Sequence, residues 1–476
     1  MVDLVSAVTP NPTIPRPSFD IDLPSLWEDI SNIYSSSATS SEKSFRDNVT
    51  RGRVASPMNK IRLFGDDTEA DIRVTFYRDS ASWCPYCHKV WSLLELKQIS
   101  YRVTKVNMRC YGSKPPEFLR VQPNGNIPVA VVDGTVYRQS NDIMHALESH
   151  FPDSVPMMYS DSERGRGDEL LRLERELFSA WMYFLTGSRD PERYRSNFIA
   201  VLEKVEKALA SSAKGYFMGD RPTIVDVMFL PFLERMVSSM IYFKGLQVRD
   251  PFAFPSICRW FEVMETLPAV RLTKSDHYTH CWDLPPQLGG CGMEEEGEPY
   301  AEAIDGERDM KDPSKSSWTL PSTSDKDLGG AELDWKWISP TSARRECAER
   351  FLHNHGAVAT FATRGGGKGG RINKGFPPAS APLADPNAAP EENLVPLVDA
   401  LLCALCYRCL DDNHSSSKAD EIVAKAAAAA KGADLTLELS SSLAYLRDRV
   451  GVPRDMSLPA ARWARGGLNE IISHLQ

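Results

Sequence analysis

The sequence predicts an α/β unit followed by helices, and three observations lead to this reading. The apolar alternation of Arg73–Tyr77 runs through a polar loop into Cys84-Pro85-Tyr86-Cys87, and a helical repeat of Val90, Trp91, Leu93, Leu94 and Leu96 follows. Strand and helix signals then alternate as far as His150. Beyond that point the apolar residues recur mainly at helical spacing.

The chain has 476 residues, room for two or three domains. Hydrophobic content of 42% and charged content of 25% are those of a globular protein. A net charge of −9 argues against broad nucleic-acid binding, which favours a basic face. No membrane span is expected. Ten cysteines are too sparse for a disulfide scaffold and point to free thiols in a reducing compartment. Met1–Asp22 has neither an apolar targeting core nor an Arg-rich composition, so a cytoplasmic location is expected.

Residues 1–70 form an N-terminal extension. It opens Pro-rich, with Pro10, Pro12, Pro15 and Pro17. Pro24–Tyr34 reads as a short helix that packs Leu26, Trp27 and Ile30, and Ser35–Ser44 reads as a mobile Ser-rich stretch.

Residues 71–150 form the α/β unit. Strands are expected at Arg73–Tyr77, Tyr101–Val106, Ile127–Val132 and Thr135–Tyr137. Helices are expected at Pro85–Gln98, Pro115–Val121 and Ser140–His150. A β-α-β half followed by a β-β-α half, with C-x-x-C after the first strand, is a thioredoxin-like layout. Cys84 falls at the mouth of the first helix, where unpaired N–H groups and the positive end of the macrodipole favour a thiolate. Pro85 suits the first helical position. Thiols in that setting ionise at roughly 3.5–7.5 rather than about 8.5, which makes Cys84 the candidate nucleophile. Two other readings of the pair are half a zinc site and buried filler. Cys110 is the one further thiol in this segment and does not complete a zinc site, so no metal is expected.

Downstream, Gln122-Pro123-Asn124-Gly125-Asn126-Ile127-Pro128-Val129, then Asp133-Gly134, then Gln139-Ser140, resembles the glutathione-binding half of a glutathione S-transferase. The resemblance implies a cis peptide at Pro128 and a backbone pairing of Ile127 with the cysteinyl part of glutathione. It implies that Gln139 and Ser140 hold the γ-glutamyl end and that Lys114 lies near the glycyl carboxylate. Ser140 is expected to cap the next helix, whose N-terminus suits a carboxylate. Gln139 stands where Glu is more usual.

After the Pro-punctuated stretch Phe151–Ser160, residues 161–272 read as the all-helical half of the same family. Asp161–Thr186 and Pro191–Ser211 are amphipathic, and Thr223-x-x-Asp226 before an apolar run is a capping-box variant. The position held by Tyr or Ser in conjugating members is Cys84 here. Trp83–Trp91, with Asn107–Gly112 and the extensions at both ends, is similar to the cysteine-type iota class of photosynthetic organisms; that resemblance also allows a plastid setting. It implies glutathione as co-substrate and a second, small hydrophobic or disulfide substrate lying against the helical half around Arg166–Arg172. The expected activity is thiol transfer or deglutathionylation through Cys84, with Cys87 available to resolve the adduct. The rival expectations are a non-catalytic ligand-binding scaffold on the same fold and a glutathione-independent dithiol reductase.

Residues 273–333 read as a disordered linker, and the spacing of His277, His280, Cys281 and Cys291 matches no metal-ligand pattern. Residues 334–476 read as a helical extension whose sequence assigns it no role of its own; a docking module for a protein partner and a regulatory module are the two readings. Gly365–Gly370 lacks the Lys-Ser/Thr and the preceding strand of a phosphate loop. Cys403, Cys406 and Cys409 lack the fourth ligand of a ferredoxin-type run and fall on an apolar helix, so they are expected to be buried thiols.

Overall fold

The computed structural model describes residues 17–108, 112–212, 214–306, 337–367, 385, 387–411 and 416–475. Cys110, the second half of the Gly365–Gly370 run and the second half of the expected linker lie outside them.

The N-terminal segment forms α1 (Leu23–Ser36) and α2 (Ser40–Thr50). The α/β unit follows as β1 (Ile61–Arg62), β2 (Val74–Asp79), α3 (Pro85–Lys97), β3 (Tyr101–Val106), α4 (Pro116–Val121), β4 (Val129–Val132), β5 (Thr135–Tyr137) and α5 (Ser140–His150). The helical half comprises α6 (Arg164–Thr186), α7 (Pro191–Ala210), α8 (Ile224–Lys244), α9 (Pro255–Met264), α10 (Pro268–Thr273), α11 (His277–Leu288) and α12 (Glu298–Ile304). An outer group holds α13 (Pro340–Leu352), α14 (His355–Ala362), α15 (Val395–Leu410), α16 (Ser417–Gly432), α17 (Thr436–Arg447) and α18 (Leu458–Leu475).

The sheet has the order β1-β3-β2-β4-β5, with β2 and β3 parallel and the other pairs antiparallel. This is the expected thioredoxin-like arrangement, with one strand added: β1, from the N-terminal segment, pairs Ile61 with Arg102. In β2, Val74 and Phe76 alternate into the core as the period of two requires. The helical half packs into the same core around α8, whose start is the expected capping box of Thr223 and Asp226.

Two expectations fail. Ser35–Ser44 is not loose throughout: Thr39 caps α2, and Glu42 returns a bond to the Thr39 N–H at 2.8 Å. The first half of the expected linker is folded. Asp276 caps α11, and Tyr278, Cys281 and Leu284 enter the core, while α12 buries Ala301 and Ile304 there. Burial of that apolar face outweighs the Pro and Gly content that suggested a linker.

The outer helices enclose a second core, and α1 belongs to it. Trp27 and Ile30 are buried among residues of α13, α14, α15 and α18, and Trp27 stacks on His355 at 4.1 Å. The stretch Glu392–Leu410 has the length and hydropathy of a membrane span, but 78% of it is buried, as the central helix of this core.

Candidate active site

Strand register gathers the expected site residues at one edge of the sheet. β2 and β3 end side by side at Asp79 and Val106. Val129 of β4 lies opposite Tyr77, and Tyr137 of β5 lies opposite Ala130. The loops at this edge carry Cys84 and Cys87, Lys114, Ile127–Pro128 and Gln139–Ser140. Ligands of open α/β sheets favour this edge, beyond the carboxyl ends of the parallel strands.

Cys84 immediately precedes α3, and Pro85 is the first helical residue. The helical ladder starts with His88 N–H donating to the Cys84 carbonyl at 2.9 Å. The amides of Tyr86 and Cys87 therefore stand ahead of the ladder, at the positive end of the helix. The loop is held from below by Asp79, a buried carboxylate. Its Oδ2 accepts from Trp83 N–H at 2.5 Å and from Cys84 N–H at 3.0 Å. Two bonds to a charged acceptor, at about 1.5–3 kcal/mol each, offset much of the cost of burying that charge. Ser82 sits at φ 57°, in the left-handed region, and its Oγ accepts from Arg78 at 2.8 Å.

The two thiols differ. Cys84 is 8% exposed and Cys87 1%. Burial, and then a hydrogen bond to Cys84, push the Cys87 thiol well above its ordinary range. Cys87 thus keeps its proton near neutrality and presents it to the Cys84 sulfur.

Several residues of the site were not anticipated. Lys89 is buried on α3, and its Nζ donates to Asn141 Oδ1 at 2.9 Å, tying α3 to the start of α5. Burial pulls the Lys89 ammonium down to about 8, with the Glu174 carboxylate opposing. On the helical side, Tyr86 meets Phe232 edge-on at 5.7 Å, and Phe178 meets Phe232 at 5.0 Å. The Arg175 guanidinium lies 4.8 Å from the Phe178 ring. This wall is one to two turns farther along α6 than the expected Arg166–Arg172. There Arg166 pairs with Glu169 at 2.9 Å, and Arg172 donates to the Asp168 carbonyl, both on the exposed side. Arg235 of α8 is buried and donates to the Trp83 carbonyl.

The other expected residues fall as follows. The Ile127–Pro128 peptide is cis. Ser140 is the first helical residue of α5, and Gln139 is the cap without a capping side-chain bond, so the expectation that Ser140 caps the helix is corrected by one position. Lys114 donates to the Asn107 carbonyl and packs its stem against Gly125. Among the described residues no cluster of His, Cys, Asp and Glu could hold a metal. A cavity of about 720 Å³ lies elsewhere, lined by Asn48, Arg51, Val54 and Leu63 among others, and takes in none of these residues.

Residues 83–150 match the glutathione S-transferase N-terminal domain, and residues 192–271 match the glutathione S-transferase C-terminal domain. The two matches fall on the α/β unit and on the helical half that follows it. It is 25% identical to glutathione S-transferase DHAR2 of Arabidopsis thaliana, over 35% of this chain and 73% of that one. It is 25% identical to glutathione S-transferase L1 of the same plant, over 40% of this chain and 79% of that one. Among solved structures, the dehydroascorbate reductase of Chlamydomonas reinhardtii is 20% identical, covers 43% of this chain and 93% of its own, and superposes with a TM-score of 0.36. The matched family domains end at residue 271, so α11, α12 and the outer helices lie beyond the glutathione S-transferase domains.

Proposed function

We propose that the protein is a glutathione-dependent thiol transferase that removes glutathione from mixed disulfides or conjugates through Cys84. The observation that carries this reading is the placement of Cys84 at the start of α3 with Cys87 buried behind it, on the sheet edge that also holds Ile127 and Gln139–Ser140. The Cys84 thiolate attacks the glutathione sulfur of a mixed disulfide. The old S–S bond breaks, the displaced thiolate leaves with the bonding pair, and glutathione remains on Cys84. A glutathione thiolate attacks the glutathione sulfur of the adduct, which releases oxidised glutathione and the Cys84 thiolate. By the other route Cys87, after it loses its proton, attacks the Cys84 sulfur, and glutathione leaves as the thiolate. Two further glutathione thiols then reduce the resulting Cys84–Cys87 disulfide and leave as oxidised glutathione. The Ile127 backbone takes the cysteinyl peptide, Ser140 and Gln139 the γ-glutamyl end, and Lys114 the glycyl carboxylate. The second substrate lies against Tyr86, Phe178 and Phe232, an apolar wall with Arg175 at its rim. A cysteine nucleophile disfavours conjugation, because it competes with glutathione for the electrophile. The finer resemblance, to the iota class, belongs to the same proposal.

Mass spectrometry of Cys87→Ser protein treated with oxidised glutathione, beside Cys84→Ser protein, tests the reading. A glutathione adduct on Cys84 that reduced glutathione releases is the expected result. Absence of any adduct on Cys84 would overturn the catalytic reading in favour of a binding scaffold.

A further inference from the structure

Helix α11 joins the two cores, and its first turn is the joint. Asp276 caps it, with Oδ1 accepting Thr279 N–H at 3.0 Å. Its Oδ2 accepts from Arg465 Nη1 of α18 at 2.8 Å, and both side chains are 1% exposed. Arg465 also donates to the Val450 carbonyl at 2.7 Å and lies 4.5 Å from the Tyr278 ring. Tyr278 donates to the Asp448 carbonyl at 3.0 Å, and Val452 N–H donates to Thr279 Oγ1 at 3.1 Å. The outer group therefore grips the start of α11 through several separate bonds.

One turn on, at i+4 from Asp276, His280 faces the nucleophile loop. Its Nδ1 accepts from the Trp83 indole N–H at 3.1 Å. With Nδ1 accepting, the ring proton is assigned to Nε2, which lies 3.5 Å from Glu234 Oε1. Trp83 immediately precedes Cys84 and is held on every side: its indole by His280, its carbonyl by Arg235 and its amide by Asp79. Two of those three holds come from helices outside the α/β unit. A buried ion pair such as Arg465–Asp276 adds little net stability over an apolar pair, so geometry is the better reason for its presence.

We propose that His280 is a positioning residue for Cys84, and that the outer helical group sets its place through the Arg465–Asp276 pair. The inference rests on Cys84 being the nucleophile of the proposed thiol transfer. It gives the outer helices a function within this chain: they fix the loop that carries the reactive sulfur. The charged and titratable groups packed around that loop include Arg78 and Asp79 from β2, Tyr86, Cys87, His88 and Lys89 from α3, Glu174 and Arg175 from α6, Glu234 and Arg235 from α8, and His280 and Asp283 from α11. Burial holds both histidines neutral near pH 7, so His280 acts by geometry and not by charge.

The test is iodoacetamide alkylation of Cys84 in the full chain, in a Cys87→Ser background, read at the peptide level across a pH series. Alkylation needs no glutathione. A protein that alkylates normally at Cys84 yet takes no glutathione would refute the proposed function on which the inference rests, whereas variants that alkylate as the parent would refute the positioning role alone. His280→Leu removes the acceptor, and His280→Gln supplies another. The double variant Arg465→Met with Asp276→Asn removes both buried charges and keeps a capping side chain. Trp83→Phe removes the donor from the other side, so the inference is tested even if His280→Leu does not fold. For His280→Leu, Trp83→Phe and the double variant, the expected result is a rate at pH 7 lower by about three- to tenfold and a midpoint moved to higher pH, as a smaller thiolate fraction requires. His280→Gln is expected near the parent rate. Folded His280→Leu or Trp83→Phe with the parent rate and midpoint would overturn the role of His280. A folded double variant that behaves as the parent would overturn the role of the outer group.

Discussion

Cys84–Cys87 and Cys403–Cys406 share the C-x-x-C spacing and sit in different cores and in different positions on their helices. Cys84 lies just before a helix, ahead of the hydrogen-bond ladder. Cys403 and Cys406 lie inside α15, where backbone N–H groups are committed to carbonyls four residues back. Burial pushes both thiols far up, with a backbone hydrogen bond opposing it at Cys403 alone. Cys347 of α13 is pushed up as well, first by a hydrogen bond to Cys409 and then by burial. Spacing alone does not make a reactive pair. The position of the first cysteine relative to the start of its helix does.

The sharpest way to break this comparison is to exchange the two sites' side chains for inert ones. Cys84→Ser is expected to lower turnover of a glutathione mixed disulfide by about 10³-fold or more, while Cys403→Ala, Cys406→Ala and Cys409→Ala together stay within about twofold of the parent. Retained turnover in Cys84→Ser, or a large loss in the triple variant, would mean that the wrong pair has been chosen. The next effect concerns how the second core is closed. Trp27→Ala, which empties a buried site stacked on His355, is expected to cost about 3 kcal/mol in urea unfolding. Hydrogen exchange should place the loss in α13–α18 and leave β2–β4 protected; uniform loss would show that the two cores unfold as one.

A labelling experiment sharpens the contrast without mutation. Native protein at pH 7 should alkylate at Cys84 on the order of 100-fold faster than at Cys406, and the difference should vanish in denaturant. Equal native rates would contradict the buried state of α15. The last effect is pH-dependent and small within any one pH unit. Burial lowers His88 to about 3, so it is neutral in the folded protein below its unfolded value of about 6.5. A folded pKa below the unfolded one contributes stability that is fully present above pH 6.5 and is lost as pH falls toward 3. Each pH unit in that window removes up to about 1.4 kcal/mol. His88→Gln should flatten this acid limb in urea titrations at successive pH values; an unchanged slope would assign the acid sensitivity elsewhere.

Much of the α/β unit was legible in the sequence because its signals are local. The C-x-x-C before a helical repeat, the Ile127–Pro128 step and the Gln139–Ser140 entry to α5 each declare themselves within a few residues. What escaped depends on partners far away in the chain. His280 looked like an unmatched histidine in a linker because its partners, Trp83 and Glu234, are distant in sequence. The capping residue Asp276, followed by Tyr278, Cys281 and Trp282 at helical spacing, was the signal that would have found α11. Lys89, Asp79 and Arg235 carry no motif; only the fold shows that they are buried around one loop. The pairing of α1 with α15 had no local signal.

That last pairing bears on how the chain is made. Leu26 accepts a hydrogen bond from Tyr407 at 3.5 Å across 381 residues, which at about 5–20 residues per second separates the synthesis of the two partners by roughly 20 to 75 s. The core that holds Cys84 can close on the ribosome while α1 waits with Trp27 and Ile30 uncovered. During that interval the apolar face of α1 stays uncovered, and the second core closes after the first.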